Sequence, residues 1–107
     1  MIGVVAKISV HPGRGAAFES AFAKLRAAVK QHEPGTLVYE LFKNRAGPDL
    51  YVAMEIYADQ AALDAHQAAP HFAAAGAEMA SLFAAPPDIE FFDGLGETNT
   101  AADAAIS

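Results

Sequence analysis

The chain has no cysteine in its 107 residues. That excludes thiol nucleophiles, disulfides and thiolate metal sites, and it fits a cytoplasmic setting. Cationic residues are scarce: seven Lys and Arg stand against 13 Asp and Glu, for a formal charge of −6 with no basic cluster. Such a surface repels a polyphosphate backbone, so nucleic acid is not an expected partner. No apolar run reaches the roughly 18 residues of a membrane span. MIGVVAKISV lacks the basic segment, helical apolar core and small-residue cleavage site of a secretion signal. No glycine-rich loop opens a helix after a strand, and HPGRG at 11–15 reads only as a turn.

What is present is enough for one domain, which at this length buries about two-thirds of its unfolded surface. Ile2, Val4, Ala6, Ile8 and Val10 alternate with Gly3, Val5, Lys7 and Ser9, the period of a strand. Phe18, Phe22, Leu25, Val29 and His32 recur at spacings of four and three, the stripe of an amphipathic helix that Pro34-Gly35 ends. Strands are expected over 36–44 and 50–58, joined by RAGPD as an antiparallel hairpin. Val38 and Phe42 oppose Leu37, Tyr39 and Leu41; Leu50, Val52, Met54 and Ile56 oppose Tyr51, Ala53 and Tyr57. Both faces of the hairpin are thus apolar, and one layer of helices covers only one of them. Burial against a second copy accounts for the other, so a homodimer is expected.

Asp59 suits the N-cap of a helix beginning at Gln60, and Pro70 breaks that helix and begins the next. Phe72, Gly76, Met79 and Phe83 then read as a continued apolar stripe. Pro86-Pro87 leads into a last strand over 88–93. The order β-α-β-β-α-β, with the second helical region broken, predicts an α+β ferredoxin-like fold on a four-stranded antiparallel sheet. The domain is expected over 1–93, with 94–107 a flexible or loosely docked tail.

Fold alone decides no function, so function must come from side chains. His66 shares a helical face with Leu63 and points toward the sheet; an imidazole there is a hydrogen-bonded core residue or a base titrating near neutrality. His71 sits in a first helical turn. Glu55 is the one acid in an otherwise apolar strand, and it needs water or a partner. His66 and His71 lie five apart across a helix break, unlike the i, i+4 pair of a helical zinc motif, so no metal set is expected.

EPGTLVYEL at 33–41 and YVAMEIYADQAALDAHQAAPHF at 51–72 resemble the antibiotic biosynthesis monooxygenase family, over residues 2 to about 93. The resemblance implies a dimeric α+β barrel with a small apolar pocket between helices and sheet. Several such proteins oxygenate aromatic polyketides or quinols without metal or flavin; others are isomerases. Positions that carry an asparagine, a tryptophan and a haem-ligating histidine in the haem-degrading branch look like Ala6, His66 and Gly76 here, which argues against haem. The reading is therefore a cofactor-independent monooxygenase of small hydroxylated aromatic or quinol-type substrates, with molecular oxygen as partner. His66 is the expected base, His71 and Glu55 are further catalytic candidates, and Phe72, Tyr51, Met79, Ala6 and Gly76 are expected to line or open the pocket. Isomerisation of a small carbonyl compound and a noncatalytic binding or stress-response module are the alternatives.

Overall fold

The computed structural model describes residues 1–96. Strand β1 (Ile2–Ser9) leads to helix α1 (Gly15–His32), then to β2 (Thr36–Lys43) and β3 (Leu50–Tyr57). Helices α2 (Gln60–Ala68) and α3 (Pro70–Met79) follow, and β4 (Asp88–Asp93) ends the fold. The four strands form one antiparallel sheet in the order β2-β3-β1-β4, the ferredoxin-like arrangement. Each expected element is present, and the boundaries shift by a residue or so. Val10 leaves β1 and makes an isolated bridge to Phe83 instead. The tail expected at 94–107 lies largely outside the described residues; the Gly94 amide still donates to the Met1 carbonyl at 2.7 Å.

Alternation decides which side of the sheet is inside. Val4, Ala6 and Ile8 of β1, Tyr39 of β2 and Tyr51, Ala53 and Tyr57 of β3 face the helices and are buried. From α1, Phe18, Phe22, Leu25 and Val29 close over them, as the stripe predicts, while His32 ends it exposed. Phe18 and Tyr57 have no exposed surface, and burying side chains of this size stabilises by roughly 1.5–3 kcal/mol each. Two details depart from the alternation. A bulge between Thr36 and Val38 turns Leu37 outward, where it is exposed. On α3 the buried residues are Ala75 and Met79, followed by Leu82, while Phe72 stays more than a third exposed.

The opposite sheet face carries Val38, Phe42, Leu50 and Met54, all 37–50% exposed. At its edge, Arg26 reaches from α1 to Glu40 of β2 with bonds of 2.8 and 2.6 Å, which puts a charged pair along an otherwise open strand.

The turn between α1 and β2 sets where α2 lies. A Cβ on Gly35 would stand 2.6 Å from the Ala62 Cβ, so only glycine lets α2 approach this turn. The Gly35 carbonyl also accepts from the Ala58 amide at 2.9 Å, tying the turn to the exit of β3. Gly35→Ala is therefore expected to destabilise the fold by roughly 1–3 kcal/mol. Adding Ala62→Gly should return part of that loss, less about 1 kcal/mol for glycine within a helix. Urea midpoints of the two single variants and the double variant check this; additive losses would place the strain elsewhere.

Candidate functional site: a carboxylate shared by two histidines

Glu33 ends α1, where its amide closes the last turn on the Val29 carbonyl at 2.9 Å. Pro34 and Gly35 then turn the chain into β2, and the Glu33 side chain folds inward, only 8% exposed. A buried carboxylate is costly unless its oxygens accept hydrogen bonds. Here they accept three sets. Thr36 Oγ1 donates at 2.7 Å. His66 Nδ1 donates across both oxygens at 2.9 and 3.1 Å. His71 Nε2 donates to Oε2 from the other side. Burial alone would raise the Glu33 carboxyl, but the bonds from His71 and Thr36 and the charge and bond of His66 outweigh it, and the group lies below its ordinary value.

The two imidazoles arrive from different helices. Asp59 caps α2, accepting from the Ala62 amide at 2.9 Å, and the helix carries His66 in its last turn. Ala69 is extended before Pro70, and α3 restarts with His71 in its first turn. His66 is 3% exposed and enclosed by Tyr39, Tyr57 and Phe72, with ring centroids 5.1, 5.4 and 4.7 Å away. Burial lowers its pKa, and Glu33 only partly restores it. The ring is then neutral near pH 7. Because an ionised carboxylate can only accept, the proton sits on Nδ1 and the lone pair on Nε2.

Nε2 has no hydrogen-bond partner among the described residues, where no fully buried polar side-chain atom is left unpaired. It therefore meets open space, in a cavity of about 70 Å³ lined by Val4, Ala6, Glu55, Leu63, His66, Gln67, Phe72, Ile89 and Phe91. Glu55 pairs with Val4 and Tyr39, residues of the helix side, which fixes its side chain on that side rather than on the outer face. Burial raises its carboxyl, against a 2.6 Å bond donated by the Tyr57 hydroxyl.

Of the expected site residues, His66, Glu55, Ala6 and Phe72 meet at this cavity. His71 lies behind His66, joined to it through Glu33, and borders a larger groove of about 660 Å³ between α1 and α2. Tyr51 and Met79 do not reach the cavity. The Tyr51 hydroxyl lies beside Phe18 and donates to Glu19 at 2.6 Å; burial first, and then that bond, push its pKa up to about 12. Met79 packs in that same part of the core. Gly76 faces outward, where an added Cβ would meet nothing within 4 Å. The expectation of no metal set rested on the absence of cysteine and on the histidine spacing, and it did not take Glu33 into account. One ligand atom from each of Glu33, His66 and His71 lies within 4.8 Å of the others.

The sequence profile of the family described as antibiotic biosynthesis monooxygenase matches residues 1–78. A Caulobacter crescentus protein provisionally named as such a monooxygenase is 42% identical, with 89% of this chain and 90% of that one covered and a TM-score of 0.86. A Pseudomonas aeruginosa protein is 28% identical over 89% of this chain and 94% of that one, with a TM-score of 0.77. One from Nitrosomonas europaea shares the fold at 22% identity and a TM-score of 0.82, over 90% of this chain and all of that one. No curated protein matches the chain.

The buried network makes stability depend on pH in a definite direction. His66 and Glu33 both have folded pKa values below their ordinary 6.5 and 4.5, so each contributes stability that is complete above those values and is lost as pH falls through the folded ones. Glu55, raised from 4.5, works oppositely: its contribution is complete below 4.5 and is lost as pH rises through its folded value. Above 4.5 the His66 and Glu55 contributions oppose each other, so unfolding free energy is expected to decline clearly on acidification below 4.5, with that limb flattened in Glu33→Gln. Urea titrations at stepped pH check this; stability that stays constant below pH 4.5 would contradict it.

Proposed function

Because the chain belongs to the antibiotic biosynthesis monooxygenase family, we propose that it oxygenates small hydroxylated aromatic or quinol-type compounds with molecular oxygen, using His66 as base. The observation that carries this reading is the Glu33–His66 bond, which holds the imidazole with its Nε2 lone pair toward an apolar cavity. A substrate hydroxyl at that nitrogen loses its proton, and the resulting electron-rich anion reduces oxygen itself. A carbon–oxygen bond forms at an activated ring carbon to give a hydroperoxide. His66 returns its proton to the peroxide anion in forming it; the O–O bond then breaks together with the C–H bond at the same carbon, which releases water and leaves a carbonyl. Each turnover consumes one O₂ and releases one water. No step calls on a metal or organic cofactor.

The cavity suits the reacting edge of a ring rather than all of it: it measures about 70 Å³, where a dry cavity of about 150 Å³ holds benzene. The rest of the substrate lies along Phe72, Ile89 and Phe91, which are 39–55% exposed and continue the apolar wall outward. The larger groove is less apt for this chemistry, because the Glu33 carboxylate at its edge is already occupied by three donors.

One observation favours a second reading. Glu55, held toward its protonated form by burial, borders the cavity that receives the His66 lone pair. A carboxylic acid and an imidazole whose burial favours the neutral form of each supply a proton donor and a proton acceptor side by side, which suits proton transfer within a small carbonyl compound, with no oxygen consumed. The proposal also includes a homodimer, with the exposed Val38, Phe42, Leu50 and Met54 face buried against its mate.

Incubation with hydroquinones and hydroxyanthrones under ¹⁸O₂ is expected to give products that carry one labelled oxygen and have lost two hydrogens. His66→Ala should slow formation by roughly 10²- to 10⁴-fold. Turnover that persists without oxygen selects the isomerase reading, and full activity in His66→Ala removes the assigned base. Sedimentation at micromolar concentration should give twice the chain mass, and Phe42→Asp with Met54→Asp should shift it to the monomer.

A further inference from the structure

We propose that Glu33, His66 and His71 form a binding site for a first-row divalent transition metal, zinc above all, and that the metal switches His66 off as a base. The donor set is two imidazole nitrogens and one carboxylate, which suits zinc and its neighbours and not magnesium or calcium, whose sites are built from oxygen. The three donor atoms lie within 4.8 Å of one another, and His66 Nδ1 stands 2.9 and 3.1 Å from the two carboxylate oxygens. Zinc bonds of about 2.0–2.2 Å to nitrogen and oxygen set donors roughly 3.4 Å apart in a tetrahedron, so His66 Nδ1 needs to separate from the carboxylate by only tenths of an ångström, while the His71 ring, closer to Glu33 and nearer the surface, has further to move back. Three rigid origins hold the ligands: the end of α1, the last turn of α2 and the first turn of α3. Thr36 Oγ1 orients the carboxylate from behind at 2.7 Å. The groove bordered by His71 and Glu33 gives access and room for a water as fourth ligand.

Proton accounting gives the consequence. In the metal-free protein the neutral His66 carries its proton on Nδ1 and offers Nε2 to the cavity. Metal on Nδ1 takes that position, and the ring's one proton moves to Nε2. His71 donates from Nε2 to Glu33 in the metal-free protein, so a metal on that nitrogen displaces the bond and leaves Nδ1 as the nitrogen that can carry a proton. His66 now presents a donor where the substrate needs an acceptor. Metal binding itself requires no turnover, so it stands or falls separately from the oxygenase reading.

The test is titration of chelator-treated protein with zinc by calorimetry, together with ¹⁵N spectra of the histidine rings. Expected are one zinc per chain, affinity weakened at least roughly tenfold in His71→Gln and Glu33→Gln, little change in His32→Gln, and transfer of the His66 proton from Nδ1 to Nε2 on loading. His71→Gln keeps the test decisive if Glu33→Gln folds poorly, because His71 is at the partly exposed edge of the cluster. Equal affinity in His71→Gln, magnesium binding as tightly as zinc, or zinc that leaves the His66 tautomer unchanged would overturn the proposal. A metal-free spectrum with the proton already on Nε2 would instead overturn the base assignment, whether or not zinc binds.

Discussion

The Glu33 carboxylate is the point on which this architecture turns. A charge this far from water is tolerated only because Thr36, His66 and His71 fill its acceptor positions, and the balance is favourable enough to keep it below its ordinary pKa despite burial. Those donors come from β2, α2 and α3, so one side chain at the end of α1 joins four elements. Breaking one bond leaves a buried partner without its hydrogen bond, at a cost of about 1–3 kcal/mol. The fold and the orientation of His66 therefore have a common origin. Stability and chemistry are not independent properties of this cluster.

Much of the chain was legible because local signals agreed with one another. Asp59 before a helical period, Pro70 at its break and Pro34-Gly35 after a stripe each have one favourable reading, and the structure follows them. The inward direction of His66 was legible too, from its spacing to Leu63. The role of Glu33 was not. In sequence it sits beside a helix stop and reads as part of it, while its partners are 33 and 38 residues away. Only the packing of α2 against the turn, through Gly35 and Ala62, brings them together. Tyr51 shows a different limit. It was expected at the pocket and does lie on the helix side, but at about 3.3 Å per residue it stands some 13 Å along β3 from Glu55, beyond the cavity. On α3, a run of alanines leaves the helical face poorly marked, so Phe72 and Gly76 were grouped with Met79 although only Met79 is buried.

The two sides of the sheet divide the work. The helix side is densely aromatic around His66 and carries every buried titratable group described above, whereas the outer side is apolar with Glu40 tied back by Arg26. Glu55 is the strand residue most sensitive to this division. One step of register would carry it to the outer face and lose both the Tyr57 bond and the cavity. Its pairing with Val4 and Tyr39 prevents that step. Glu55 and His66 are thus held at the cavity by different devices, one by sheet register and the other by a buried carboxylate.

The break at Pro70 completes the arrangement. On an uninterrupted α-helix, residues five apart differ by about 140° around the axis, so His66 and His71 would look in well-separated directions and could not share one carboxylate. Proline removes the amide needed to continue the helix, and it holds Ala69 extended at φ −69° and ψ 140°. The chain changes direction there, and α3 starts with its first turn turned back toward the end of α1. His71 then meets Glu33 opposite His66, with its ring 6.0 Å from that of His32 on the groove side. The spacing that argues against a helical metal pair is the spacing that lets a broken helix close on Glu33 from two sides.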